Sequence, residues 1–285
     1  LTPFIFLFRK EDGEPHFDEY LYTLARGGGK NGFMSARDNF FISPLYPVRD
    51  YDVTITANSE KQGKVSFEEV YETIQRRGLE DHFYLTKMSI TGRANNSVFS
   101  FRTNNPKTMD SARDGCLEFD EIHQFEDDKA VKVQRSGLGK IAHARTFYNG
   151  TNGYVREGFY DKLIEKSMKI LNGELEEFRL FPFICKLDDM KNWPKANPML
   201  DESTLYAKRL LARTKADYDD LELEPSGRQE FMTKRMNLPE ADLEKDVTSR
   251  EKLVACLRSP GIDLKGRSCV AGFDYASIRD FASVG

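Results

Sequence analysis

Cysteine is sparse in this chain: Cys116, Cys185, Cys256 and Cys269 are the four in 285 residues, and they are widely scattered. With no C-x-x-C pair and no Cys/His cluster, neither a zinc site nor a disulfide framework is indicated, and each cysteine reads as a small, reduced core residue. Long apolar runs are lacking too. None approaches the roughly 18 residues that a membrane-spanning helix requires. The apolar opening LTPFIFLF is short and has neither the basic flank nor the small-residue cleavage site of a signal peptide. It reads as the first strand or helix of a core entered abruptly. No excess of one charge is present: 42 Lys and Arg face 46 Asp and Glu, a formal net charge of −4. A dedicated nucleic-acid coat is normally basic, so contact with DNA would have to come from a local patch. The basic stretches IQRR, KRLLARTK and TKR have helical spacing and read as exposed faces. Internal repeats and low-complexity tracts are absent.

What is present is the balance of a soluble globular protein, 39% hydrophobic and 31% charged, with length enough for one large domain or two ordinary ones. Up to about residue 187, strand-like and helical stretches alternate. DEYLYTLA (18–25), the β-branched YDVTITAN (51–58), DGCLEFDE (114–121) and IAHARTFYNGT (141–151) read as strands. GFMSARDNFFIS (32–43), SEKQGKVSFEEVYETIQRR (59–77) and REGFYDKLIEKSMKILNGE (156–174) read as helices. HFYLTKMSITG and SVFSFRT flank RANN as a hairpin. Alternation of this kind predicts an α/β fold with a mostly parallel sheet flanked by helices. From 188 to 265 the chain changes character. LDDMKNWPKANPML reads as a linker, 203–224 and 226–237 as helices, and 238–257 as helix or loop. From 266 a strand begins and the sequence stops, so a second domain is expected to be cut short.

The glycine run in LARGGGKNGF carries the first chemistry. A phosphate-binding loop needs minimal side chains so that its amides can turn to phosphate, a lysine to reach the β and γ phosphates, and a helix N-terminus behind it. A strand leads into Gly27, Gly28, Gly29 and Lys30, and a helix follows. Two positions depart from G-x-x-x-x-G-K-S/T: Leu24 stands at the first glycine, and Asn31 stands where a hydroxyl residue binds Mg²⁺. The second constellation is the acid pair Asp120 and Glu121 at the end of a buried strand. An ATPase needs one carboxylate in the Mg²⁺ shell and another to orient the attacking water. Asp120 suits the first role and Glu121 the second. In FYNGTNG, Thr151 is the candidate to sense the γ phosphate, with Asn149 second. Arg26 in the loop is positioned for an arginine finger in cis, a device worth about 10³–10⁵ in rate where it acts. His123 could couple nucleotide state to motion, or pack. Glu126, Asp127 and Asp128 read as a solvated helix start.

In this order along the chain, ARGGGKNGF, ANSEKQGKVSFEEVYE, LEFDEIHQFED, NGTNGYVREGFYDKL, WPKANPML, EFMTKRMN and LKGRSCVAGFDYASIRDFASV resemble the large terminase subunit of tailed bacteriophages, over nearly the full length. The resemblance implies a P-loop ATPase domain of the additional-strand, catalytic-glutamate type over 1–187 and a helical lid or connector over 188–265. It implies the first strand of an RNase H-like nuclease over 266–285. ATP and Mg²⁺ are then the cofactors. Arg26, Gly27, Gly28, Gly29, Lys30, Asn31 and Asp120 match the nucleotide-binding set, with Asn31 and Asp120 toward the metal. Glu121 matches the catalytic glutamate, Arg26 the loop arginine, and residues 149–151 the coupling motif. Asp274 matches the first metal-binding acid of the nuclease, and Asp280 is an accessory acid. A nuclease of this kind needs further acids on later strands to hold its divalent metals, so this stretch by itself is expected not to cut DNA. The implied partners are double-stranded viral DNA, the small terminase subunit and the portal protein, with a homo-oligomeric ring on the portal. No membrane is involved, and the implied location is the host cytoplasm rather than the mature virion. Two other readings compete. One is a DExH-type helicase, suggested by DEIH but lacking the Q-x-x-G-R-x-G-R finger motif. The other is a nucleotide-binding scaffold with a decayed site, suggested by Leu24 and Asn31.

Overall fold

Eight strands form one sheet: β1 (Glu19–Thr23), β2 (Asp52–Ala57), β3 (Phe83–Leu85), β4 (Ser89–Gly92), β5 (Val98–Thr103), β6 (Asp114–Phe119), β7 (Arg145–Gly150) and β8 (Leu180–Ile184). Their order is β3-β4-β5-β2-β6-β7-β1-β8. The six from β5 to β8 in that order run parallel, and β3 and β4 are antiparallel at one edge. This is a computed structural model, and it describes residues 2–104, 113–153, 158–176, 179–187, 204–238, 273–274 and 283–284. The stretches read from sequence as a linker (188–200) and as helix or loop (239–257), together with Cys256, Cys269 and Asp280, lie outside the described residues.

The central strands are buried on both faces: every residue of β6 and β7 is buried, and all but the first of β1 and β2. Such strands need helices on both sides, and parallel crossovers supply them. Successive side chains alternate between two cores. Tyr20, Val53, Ile55, Cys116 and Phe147 join Phe41, Phe67, Val70 and Ile74 from α2 (Lys30–Ile42) and α3 (Glu60–Arg77). Leu21, Leu117, Phe119 and Tyr148 join Ile122, Val131, Tyr160 and Leu163 on the other face. Of these, Val131 belongs to α4 (Lys129–Arg135), and Tyr160 and Leu163 to α5 (Phe159–Leu171). The boundaries of α3 follow local chemistry. Ser59 accepts the Gln62 amide as N-cap, and Gly78 closes the helix in the left-handed region at φ 64.

The expected hairpin around RANN is present as β4 and β5, and β3 extends it to a three-stranded meander. HFYLTKMSITG turns back within itself because the Thr86 hydroxyl accepts from the amides of Met88 (3.2 Å) and Ser89 (2.9 Å). A short helix over Thr2–Phe6 opens the chain, one of the two forms read for LTPFIFLF. Beyond the sheet, a helix over Leu205–Leu223 leads into a 3₁₀ turn, one helical turn and a π-type turn over Phe231–Arg235. Phe231, Met232 and Met236 pack with Leu187 in a third small core. The chain divides into two compact units, Leu1–Ala241 and Asp242–Gly285. Of the second unit, two short antiparallel strands are described, Phe273–Asp274 and Ser283–Val284, with Asp274 opposite Ser283.

One polar group breaks the apolar interior between α2 and the sheet. Arg37 on α2 donates through Nε to Glu118 Oε1 at 2.8 Å and through Nη2 to Oε2, a two-pronged pair in full burial. Asn149 of β7 donates to the same carboxylate at 3.0 Å, and the guanidinium lies 3.6 Å over the Phe147 ring. Burial, and then the charge of Glu118, hold the neighbouring Asp38 carboxyl well above the usual carboxylate range. Removing one member of such a pair strands the other charge in the core. Arg37→Met is therefore expected to lose about 3–5 kcal/mol of stability, and Arg37→Met with Glu118→Leu to recover at least half of it. Urea unfolding of the single and double variants measures both.

Candidate active site

The glycine run is a loop in which each residue is dictated. β1 ends at Thr23, and the chain reaches α2 through Leu24, Ala25, Arg26 and the three glycines. Gly27 (φ 84) and Gly29 (φ 77) lie in the left-handed region, where a side chain is strained. At Gly28 a Cβ would stand 2.8 Å from both the Ala25 carbonyl oxygen and the Leu24 Cβ. Leu24 continues β1 rather than opening the loop. Its amide donates to the Gly150 oxygen at 3.1 Å, and its own oxygen accepts the Thr151 hydroxyl at 2.8 Å. The missing first glycine thus falls where the backbone is still strand-like. Gly29 caps α2, whose first-turn amides at Lys30, Asn31 and Gly32 have no acceptor within the helix. These residues, Asp120, Glu121, His123, Thr151 and Lys234 line one cavity of about 600 Å³.

Across the cavity the acid pair leaves the end of β6. The Asp120 amide donates to the Thr56 oxygen at 2.9 Å, which holds it in line with β2. Glu121 then takes a left-handed turn (φ 49) that swings its side chain toward the loop. Lys30 Nζ donates to Glu121 Oε1 at 2.7 Å and lies 3.7 Å from Asp120 Oδ1. Burial pushes the Asp120 carboxyl up to about 6, with Lys30 opposing and the charges of Glu121 and Glu118 adding to the rise. Burial also works to raise Glu121. The charge and hydrogen bond of Lys30, with His123 and Lys234 beyond, more than offset it, and Glu121 sits below its ordinary value. Two adjacent carboxylates are thereby shifted in opposite directions by their surroundings.

The sequence-derived candidates do not all reach the cavity. Thr151 lines it, with its hydroxyl turned to Leu24. Asn149 does not: it is fully buried and donates to Glu118 beneath the cavity. Arg26 stands at the rim, more than half exposed, and pairs with Glu230 at 3.2 Å. Asn31 lines the cavity beside Lys30. Asp274 is a strand residue of the second unit. Lys234 is the residue that sequence reasoning missed. It lies in TKR, read as an exposed basic face, yet its side chain turns inward and donates to the Asn152 oxygen at 3.0 Å. Burial lowers its pKa, Glu121 opposes that shift, and Arg26 and Lys30 reinforce it. The π-type turn that aims it follows from tertiary packing, not from helical spacing.

The family model of the terminase large subunit ATPase domain matches residues 5–169, more than half of the chain. The chain belongs to this family. The large terminase subunits of Lactococcus phages p2 and SK1 are each 23% identical over 280 residues, covering 94% of this chain and 50% of the relative. The chain therefore spans about half the length of the curated terminases it matches. Among solved structures, the HK97 bacteriophage large terminase superposes with a TM-score of 0.67 at 16% identity, over 84% of this chain and 50% of that one. That likeness is one of fold: the same mostly parallel sheet flanked by helices.

For this terminase ATPase domain, the raised Asp120 carboxyl fixes a pH dependence. In metal-free solution the folded state binds more protons than the unfolded state between the ordinary value of 3.8 and about 6. The contribution of Asp120 to stability should therefore fall as pH rises through that window, and stay level above it. Asp120→Asn removes that contribution. Its thermal midpoint is expected to exceed the parent's at pH 7.5, by the equivalent of about 2–3 kcal/mol, and to match it near pH 4. Calorimetry at the two pH values makes the comparison.

Proposed function

We propose that this chain is the ATP-hydrolysing part of a viral DNA-packaging motor, an additional-strand, catalytic-glutamate ATPase that drives double-stranded DNA through a portal into the procapsid. The observation that carries this reading is Lys30 bound to Glu121 and beside Asp120 at the mouth of the triple-glycine loop. The strand order supports it, since β7 intervenes between the loop strand β1 and the acid strand β6. So does membership of the terminase ATPase family, which sets the DExH helicase reading aside.

In this reading, Lys30 and the amides at the start of α2 bind the β and γ phosphates of ATP. Glu121, held ionised by its cationic neighbours, orients and activates the attacking water. Thr151, fastened to Leu24, links the loop to the end of β7. Arg26, or an arginine of a neighbouring subunit, stabilises charge on the transferring phosphoryl group; in cis this requires Arg26 to exchange Glu230 for phosphate. Mg²⁺ would supply charge neutralisation between the phosphates. The residues fit it: Asp120 Oδ1 is buried and has no hydrogen-bond partner among the described residues, and Asn31 offers a neutral oxygen nearby. No group of three or more His, Cys, Asp or Glu able to hold a metal occurs among the described residues.

The proposal extends to the whole protein as the resemblance implies. Residues 188–265 are the lid and connector, and Asp274 is the first metal-binding acid of an RNase H-like nuclease. The small terminase subunit and the portal are the protein partners, the active form is a homo-oligomeric ring on the portal, and the setting is the host cytoplasm. No helix among the described residues is long and apolar enough to cross a membrane.

Mg²⁺-dependent ATP turnover tests the core of it. Glu121→Ala is expected to bind ATP but to turn over about 10²–10⁴-fold more slowly than the parent. Lys30→Ala should lose nucleotide affinity itself. A parent chain that binds ATP without turnover would favour the decayed-scaffold reading instead.

A further inference from the structure

The segment that follows the long helix over Leu205–Leu223 does more than cover the cavity. Its π-type turn, Phe231–Arg235, inserts a wider turn of backbone, with the Met236 amide reaching the Phe231 oxygen at 3.3 Å. Turns of this kind re-aim side chains and recur at functional sites. Here the turn sends Lys234 into the cavity while its own carbonyl accepts the Arg26 amide at 2.8 Å. The loop and the turn are thus joined by backbone.

From Lys234 a line of contacts runs to the acid pair. Lys234 Nζ is 3.3 Å from His123 Nε2, and His123 Nδ1 is 3.2 Å from Glu121 Oε2. An ammonium only donates, so Nε2 accepts and the imidazole proton sits on Nδ1, facing the carboxylate. That second contact has the distance of a hydrogen bond without its alignment. Glu121 is meanwhile held by Lys30 at 2.7 Å. A polyphosphate carries more negative charge than one carboxylate and competes for the same lysine. With Lys30 drawn to phosphate, the groups left beside Glu121 are His123 and, through it, Lys234.

The far side of Lys234 is tied as firmly. Its ammonium donates to the Asn152 oxygen, and Asn152 is bound twice to Asn237: amide to Oδ1 at 2.7 Å, and Nδ2 to the Asn237 oxygen at 2.5 Å. Asn237, in the left-handed region at φ 55, donates in turn to the Cys185 oxygen at 2.6 Å. Residues 231–238 are therefore fastened to the ends of β7 and β8, next to Thr151.

We propose that His123 and Lys234 form a relay that takes hold of Glu121 when a nucleotide's terminal phosphate takes Lys30, so that residues 231–238 follow the occupancy of the site. The inference rests on the ATPase reading above. Lys234 acts through His123 and is a positioning residue. It fixes the glutamate that orients the water, and it transmits the change to the segment that carries it.

The test uses the full chain, Mg²⁺ and a non-hydrolysable ATP analogue, with two readouts beside ATP turnover. One is the affinity for the analogue, the other its effect on amide hydrogen exchange across residues 226–238. In the parent, the analogue should alter exchange in that segment. In Lys234→Met, affinity should stay within about threefold while kcat falls roughly 10- to 100-fold with KM little changed, as expected when an orienting contact is lost. The exchange response should vanish, and Lys234→Arg, which keeps a donor, should restore part of both. Should Lys234→Met fold poorly, His123→Asn breaks the relay at its other link and is expected to show the same split. The relay alone is overturned if the parent binds and hydrolyses ATP but either relay variant keeps kcat within threefold of it, or keeps the exchange response. If the parent binds no nucleotide, the ATPase reading falls and the relay with it.

Discussion

The buried pairing of Arg37 with Glu118 sets the position of everything that matters in the cavity. Arg37 stands two turns of α2 beyond Lys30, and Glu118 two residues before Asp120 on the acid strand. Fixing the guanidinium on the carboxylate therefore fixes the start of α2 against the end of β6. Asn149 adds a third element to the same carboxylate, so the loop helix, the acid strand and the intervening strand β7 share one anchor. A buried ion pair is a costly way to gain stability, since desolvation consumes much of the attraction. What it provides here is register: neighbouring hydrophobic contacts would tolerate a small slide of α2, but a two-pronged pair would not.

Above that anchor, the cavity is a competition among a few charges for one lysine. Lys30 neutralises Glu121 directly and Asp120 at longer range, which leaves Glu121 ionised and Asp120 pushed up by burial. Asp120 Oδ1 has no hydrogen-bond partner among the described residues and stands 3.7 Å from Lys30, while Glu121 holds that lysine directly. Lys234 brings a further positive charge from a separate element, and burial lowers its pKa, with Arg26 and Lys30 adding to the fall. Each charge in the cavity is thus held by another that a ligand can displace. Such a site is able to change its internal contacts without unfolding any of its elements.

Much of this was legible along the chain because the signals are local. Three consecutive glycines before a lysine and a helix mark a loop with φ values closed to other residues. An acid pair after an apolar run marks the end of a buried strand. Ser59 and Gly78 mark the ends of α3. The alternation of strand-like and helical stretches announced a mostly parallel sheet covered by helices. Other features were hidden for equally physical reasons. The expected hairpin gained a third strand, β3, through one threonine side chain accepting two amides, a choice that propensity does not encode. Asn149 and Thr151 are two residues apart and look interchangeable, yet the first points into the core and the second lines the cavity.

The sequence by itself determined the chemistry available: which lysine, which carboxylates, which loop, and the strand-and-helix alternation that would bring them to one end of a sheet. These follow from local backbone sterics and from the burial of apolar strands, and neither needs distant partners. Only the tertiary structure decided which basic residue of TKR faces inward, that Asn149 turns to Glu118 in the core, and that Glu121 meets His123 on one side and Lys30 on the other. Those outcomes depend on contacts between residues as far apart as Arg26 and Lys234, whose meeting is set by a π-type turn and a small apolar cluster around Met232. A helical repeat read from sequence places Lys234 on a surface; one wider turn of backbone, held by packing, places it in the site.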